Sequence, residues 1–217
     1  MTGVANAFSD VAFTDKIYPA TQYLNSQGVI KGYSDNTFQP DKVINRAEAV
    51  KIILSAAEIP VLESISTPSF RDVPSDSWFA PFVEQGLTLK IVTPQEKFDP
   101  TREVNRAEFL KMMCLALQVD PNKYTLDVKS VDAPDDAWFA PYINFAIKFD
   151  ILDRAADQKA FPEKSITRRE AADMLFRTLQ KGHALRVQTL LDLTENQLIA
   201  TLQFLELQKL PEASLSI

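Results

Sequence analysis

Apolar residues recur along this chain at the spacing of a helix face. Ala47, Val50, Ile53, Leu54 and Ala57 share one side of a helix, and Leu110, Met113, Cys114 and Leu117 repeat that stripe further on. A second kind of stripe, Phe139, Ile143, Ala146 and Ile147, predicts a helix beginning near Pro141. Proline suits a first helical turn, where its missing N–H is not needed. Pro19 and Pro81 hold the same place in two other segments. Between the two helix types lie polar loops ending in "FQP" (38–40), "FDP" (98–100) and "FPE" (161–163). Each unit therefore reads as an Asp-containing loop, a first helix, a second loop, a proline and a second helix.

The units repeat. "FSDVAFTDKIYPATQYL" (8–24), "FRDVPSDSWFAPFVEQG" (70–86) and "SVDAPDDAWFAPYINFA" (130–146) align without a gap and superpose Asp10, Asp72 and Asp132. Downstream, Arg46, Arg106 and Arg168 lie 60 and 62 residues apart. One helix pair of roughly 50 residues buries too little apolar surface to stand alone. The predicted fold is therefore all-α, with three tandem helix-loop-helix repeats gathered at a pseudo-threefold centre. The boundaries are residues 1–62, 63–122 and 123–182, followed by a C-terminal helical extension at 183–217. In that extension Thr194 and Gln197 form a capping box, and Leu198, Leu202, Phe204 and Leu205 make an apolar side. That side either packs on the bundle or serves an oligomer or partner contact.

The second helix of each repeat starts with a shared grammar. Asn45, Asn105 and Thr167 are N-cap residues whose side-chain oxygens accept first-turn N–H groups. Glu48, Glu108 and Glu170, three residues on, complete capping boxes. Ile44, Val104 and Ile166 precede the caps and can staple against Ala49, Phe109 and Ala171. Arg46, Arg106 and Arg168 are left over. A cation at the first helical position meets the positive end of the helix dipole, at roughly 0.3–1 kcal/mol when exposed. Two readings can coexist. One is an ion pair to Asp10, Asp72 or Asp132. The other is an anionic ligand, met by the guanidinium together with free first-turn N–H groups.

Composition narrows the chemistry. A net charge of −6 argues against nucleic acid as partner. No apolar run approaches the roughly 20 residues of a transmembrane segment, and "MTGVANAFSD" has neither the basic nor the apolar region of a signal peptide. One cysteine, one histidine and five glycines cannot build a Cys/His zinc site, a Ser-His-Asp triad or a Gly-rich phosphate loop. Cys114 reads as a buried thiol among apolar neighbours. The loops "DVPSDS" and "DAPDDA" lack the Gly and terminal Glu of an EF-hand, so no metal and no cofactor is expected. A glycan hydrolase would need two carboxylates in different environments. Here the prominent ones are symmetric and explained by caps and turns, so the chain is not read as an enzyme.

The residues together resemble a known family. Three units of "F-x-D-V … W-[FY]-A-P … G-x-I-x-G-Y-x-D-x-x-F-x-P … [IV]-[TN]-R-A-E", spread over residues 8–180, are similar to the S-layer homology (SLH) domain. The resemblance implies a three-pronged helical unit that anchors surface proteins noncovalently at the cell envelope. It implies a secondary cell-wall polysaccharide or other peptidoglycan-linked glycan as partner, anionic and often pyruvylated. It places the ligand in grooves between repeats, lined by the arginine, the loop Asp, the Trp and the glycines. The residues that match are Arg46, Arg106, Arg168, Asp10, Asp72, Asp132, Trp78, Trp138, Gly28, Gly32 and Tyr33. Trp78 and Trp138 are either core anchors or half-exposed rings against a sugar face. Phe79 and Phe139 read as core anchors.

Only repeat 1 keeps the full loop, "GVIKGYSDNTFQP", though Lys16 stands where the others have Trp. Repeats 2 and 3 lack both glycines, and Arg169 replaces an alanine. Loss of glycine removes positive-φ turns and close approach. The expectation is a site centred on Arg46, with degenerate grooves in repeats 2 and 3. The alternative function is a protein-interaction or self-assembly scaffold that uses the C-terminal helices.

Overall fold

The computed structural model describes residues 6–191, with side chains as far as residue 182. The expected tail helix with its Thr194 capping box lies outside the described residues. The chain divides into a unit ending at Thr178 and a second beginning at Leu179, and the features below lie in the first, apart from the later residues of α6. Six α-helices follow in order: α1 (Tyr18–Ser26), α2 (Arg46–Ala56), α3 (Ala80–Thr88), α4 (Arg106–Ala116), α5 (Ala140–Lys148) and α6 (Arg168–Leu191). Among the described residues there is no strand, only isolated bridges pairing Val43 with Thr167, Asn45 with Glu103 and Asn105 with Ser165.

Local chemistry sets the helix ends. α1, α3 and α5 carry proline in the first turn and have no side-chain cap. α2 and α4 begin with complete capping boxes, Asn45 with Glu48 and Asn105 with Glu108. Thr167 and Glu170 exchange the same pair of bonds at 2.9 and 3.3 Å. α1 ends where Gly28 turns left-handed (φ 69°) and the Val29 N–H donates back to Leu24 O at 2.9 Å. α3 and α5 make the same turn without glycine, through Lys90 (φ 59°) and Asp150 (φ 53°). The expectation that losing glycine closes off this conformation is therefore corrected. The bonds from Ile91 to Gly86 O and from Ile151 to Ala146 O hold each residue in a state costing a side chain roughly 1–2 kcal/mol.

The predicted apolar stripes lie in the core. Val50, Ile53, Leu54, Leu110, Met113 and Cys114 are buried. Ala57 and Leu117 are C-cap residues and only half-buried, their places inside taken by Ala56 and Ala116. Burial pushes the Cys114 thiol up to about 12, which leaves it inert. Phe79 and Phe139 are half-buried rather than core residues, each edge-on to the neighbouring Trp.

The repeats are joined by a closed cycle of backbone bonds. Ile44 N–H donates to Ile166 O (3.1 Å), Ile166 N–H to Val104 O (2.9 Å), and Val104 N–H to Ile44 O (3.2 Å). All three side chains are fully buried. The next two N–H groups of each helix follow the same rule. Arg46, Arg106 and Arg168 donate to the carbonyls of Arg102, Lys164 and Lys42; Ala47, Ala107 and Arg169 donate to those of Pro100, Pro162 and Pro40. The first-turn N–H groups are thus taken by the neighbouring repeat, which corrects the expectation that they stay free for an anion. α2 packs on α3 and α4, and α4 packs on α5. No linker ties repeat 3 to repeat 1. There Arg169 pairs with Asp15 at 2.7 Å and Asp41 at 3.2 Å, and the Tyr23 ring meets Phe176 edge-on.

Each second loop is fixed by the aspartate of its own repeat. Asp10 accepts from the N–H groups of Phe38 and Gln39, Asp72 from Phe98 and Asp99, and Asp132 from Ala160 and Phe161, all at 2.7–2.9 Å. Gln39, Asp99 and Phe161 share a left-handed φ of 52–58°. Ala160 is therefore the counterpart of Phe38 and Phe98, and the "FPE" alignment at 161–163 is one residue out. The tie from Ala107 to Pro162 O sets this register, just as Pro40 and Pro100 set the others. Burial would raise the pKa values of Asp72 and Asp132, but the backbone N–H bonds outweigh it and hold both below the ordinary 3.8.

Asp72→Asn sets an amide N–H₂ against a backbone donor, and should destabilise the fold by about 1–3 kcal/mol in urea titrations at pH 7. Because the folded pKa is depressed, Asp72 stabilises above the unfolded value and loses that contribution as pH falls below 3.8. The gap between wild type and variant should narrow on acidification; a gap constant down to pH 2 would contradict the carboxylate's role. Arg169→Ala should cost about 1 kcal/mol, and less in 1 M salt, since the pair is partly exposed.

Candidate anion-binding grooves

With the N–H groups taken, the arginine side chains are what each helix start offers. Arg168 donates from Nε to Phe38 O (2.6 Å) and from Nη2 to Lys31 O (3.2 Å). Its guanidinium lies 4.6 Å from the Phe38 ring centre and 5.0 Å from that of Tyr33. Arg46 repeats the arrangement one repeat on, with Nε on Phe98 O (2.8 Å) and the guanidinium 4.9 Å from that ring. Arg106 differs. Its Nη1 donates to Ala160 O and its Nη2 to Glu170 Oε1 (2.7 Å), Nε has no partner, and the residue is 7% exposed.

None of these arginines forms an ion pair with Asp10, Asp72 or Asp132 among the described residues. The expected arginine–aspartate pairs are replaced by something less direct. The aspartate holds the loop by its N–H groups, and the arginine of the preceding repeat holds the same loop by a carbonyl. This accounts for a cation at the first helical position, because it ties two repeats. Burial lowers the Arg46 pKa, with Arg102 adding repulsion against the attraction of Glu108, Asp99 and Asp72.

One groove is open as a cavity of about 170 Å³. Lys31, Gly32 and Tyr33 from repeat 1 line it with Lys51 and Glu48 of α2, Trp78 of repeat 2 and Arg168 of repeat 3. Gly32 is required by contact. A Cβ there would sit 2.7 Å from the Phe8 ring and 2.7 Å from Thr37 O. Gly28 shapes the preceding turn and is not on the cavity wall. Lys51 Nζ lies 5.2 Å from the centre of the Trp78 ring, which is 52% exposed. Burial lowers the Lys51 pKa first, followed by the positive charges of Lys31 and Arg168. Lys31, Lys51 and Arg168 form no ion pair among the described residues, so three cations face one carboxylate, Glu48.

The glycine loop thus meets Arg168, not Arg46. Arg46 serves the loop of repeat 2, with Lys111 Nζ 5.2 Å from the Trp138 ring in the place of Lys51 and Trp78. There Glu108 is held by both terminal nitrogens of Arg102. In the third position Asp173 replaces the lysine and Lys16 the tryptophan, and Arg177 pairs with Asp153 (2.9 Å) and Asp173 (3.0 Å). Sequence reasoning passed over Lys31 and Lys51. The signal was there: Lys51 and Lys111 each follow the groove arginine of their repeat by five residues.

Comparison with known proteins bears on this arrangement. The family model of the S-layer homology domain matches residues 7–50 and 69–110. The chain is 25% identical over 187 residues to the S-layer protein sap of Bacillus anthracis, covering 81% of this chain and 23% of that protein. It is 27% identical over 172 residues to the surface-layer 125 kDa protein of Lysinibacillus sphaericus (76% and 14%). It is 30% identical over 129 residues to cell surface glycoprotein 1 of Acetivibrio thermocellus (54% and 6%). The chain spans less than a quarter of the length of each. The two segments that match the S-layer homology domain model fall in repeats 1 and 2, and these relatives, named as S-layer or surface proteins, align across half or more of the chain.

Proposed function

We propose that this chain is a noncatalytic anchoring module at the cell surface, and that it holds an anionic cell-wall glycan in the groove of Arg168, Lys31 and Lys51. A secondary cell-wall polysaccharide carrying ketal-pyruvate carboxylates fits this chemistry. The observation that carries the reading is the unpaired cationic trio beside an exposed indole, on a chain whose net charge is −6. A carboxylate or phosphate on the sugar would take the outward edge of the Arg168 guanidinium and the two ammonium groups. The sugar face would stack on Trp78 or Tyr33, whose rings join an apolar face to a polar edge. Gly32 lets the loop close against Phe8 and Thr37, which shapes this wall of the groove. Arg46 and Trp138 would form a second, similar groove. Asp10, Asp72 and Asp132 would act by positioning the loops. A noncatalytic role agrees with carboxylates held in caps, loop ties and ion pairs.

Arg168→Ala should weaken retention on purified secondary cell-wall polysaccharide by about tenfold or more, as expected for a lost charged hydrogen bond of about 1.5–3 kcal/mol. Lys51→Ala should have a smaller effect, and both effects should shrink as salt is raised. Polysaccharide stripped of its ketal carboxylates by mild acid should be retained poorly by the wild type. Equal retention of wild type and a folded Arg168→Ala/Lys51→Ala variant would overturn the reading.

A further inference from the structure

We infer that the loop residue each groove arginine reaches in the next repeat, Phe38 for Arg168, Phe98 for Arg46 and Ala160 for Arg106, decides whether that arginine is offered to a ligand. The chain would then carry two anion sites and a third that its own Glu170 occupies. The inference rests on the anion-binding reading above and adds which grooves work and why.

The three arginines sit at equivalent places on their helices, yet their guanidinium groups are used in two ways. Arg168 and Arg46 lie over the rings of Phe38 and Phe98, and each gives its Nε to the carbonyl of that same phenylalanine. The ring acts as a shelf. With Nε engaged at one side, the Nη1/Nη2 edge of Arg46 has no hydrogen-bond partner among the described residues. Arg168 gives that edge only one 3.2 Å bond, to Lys31 O. That edge is the fork that matches a carboxylate or phosphate.

The third position has Ala160, whose side chain ends at Cβ and offers no ring. Arg106 reaches the equivalent carbonyl with Nη1 instead, so its fork edge turns inward. Glu170 takes Nη2 at 2.7 Å, and Nε is left buried without a partner. The corresponding glutamates do not behave this way. Glu108 is held by Arg102, and Glu48 meets Asn45 of its own cap. Nearby groups agree with a self-contained third face. Arg177 pairs with both Asp153 and Asp173 where the other faces carry an unpaired lysine over a tryptophan, so this face offers no free cation of that kind and a net negative charge among the three.

The two tryptophans of the chain make the test direct, since Trp78 and Trp138 stand beside the two grooves assigned as open. Inorganic phosphate would be titrated into the full chain, following the two indole N–H resonances and the arginine Nε–Hε resonances by NMR, with calorimetry giving stoichiometry. Both indoles should shift saturably, with two phosphates bound. Arg168→Gln should weaken the Trp78 response at least tenfold and spare Trp138, and Arg46→Gln should do the reverse. The Arg106 Hε signal of the wild type should not move. Ala160→Phe combined with Glu170→Gln should add a third phosphate and a saturable Arg106 response. Three phosphates on the wild type, a saturable Arg106 shift, or a folded double variant that still binds two would overturn the assignment. Loss of all phosphate response from both indoles would sink the anion-binding reading and this one with it. Binding with the wrong count sinks this one alone.

Discussion

The structure depends on three buried peptide groups that have no partner within their own repeat. Ile44, Val104 and Ile166 precede the N-cap residues of their helices, and their N–H and C=O groups bond across to the other repeats. A buried unpaired peptide group costs on the order of 1–3 kcal/mol, so each must find its bond elsewhere. The three satisfy one another in a cycle, each N–H on the next carbonyl. From this follow the proline carbonyls on the second N–H of each helix, the arginines that cross to the neighbouring loop, and the grooves between them. The capping boxes work at the same place but within one repeat, so local and inter-repeat bonding meet at a single helix start.

Much of this was legible in the sequence because the responsible chemistry is local. The capping letters around Asn45 and Asn105, the first-turn prolines and the apolar stripes each depend on neighbours within a few residues. What was not legible depends on partners across the chain. That Arg168 rather than Arg46 sits beside Gly32 follows from the direction in which repeats succeed one another around the ring, and no spacing encodes that direction. The misplacement of Phe161 is different in kind. Counting eight residues back from Arg168 reaches Ala160, as the same count from Arg46 and Arg106 reaches Phe38 and Phe98. The letter F drew the alignment one place too far, although the ring of Phe161 is exposed. The glycine argument failed for a physical reason. Two hydrogen bonds and surrounding packing hold Lys90 and Asp150 in left-handed turns that propensity alone disfavours.

Repetition of fold has not carried repetition of charge. The first groove gathers lysines and an arginine, the second keeps one lysine and one free arginine, and the third closes on its own ion pairs. The scaffold tolerates this because the backbone cycle and the aspartate ties do not involve the side chains that vary. Arg169 shows the same freedom turned to structural use. It stands at a position filled by alanine in the other repeats, and it strengthens the one junction that no linker spans.

The open groove has walls from both ends of the unit, with Lys31 and Gly32 on one side and Arg168 on the other. During synthesis its first wall emerges well over a hundred residues before its last. At the ribosome, repeats 1 and 2 alone present a loop with no arginine beneath it and a Lys42 carbonyl with no donor. Occupancy of this groove therefore reports that the ring has closed, and a chain truncated before the third repeat loses the pocket beside Gly32.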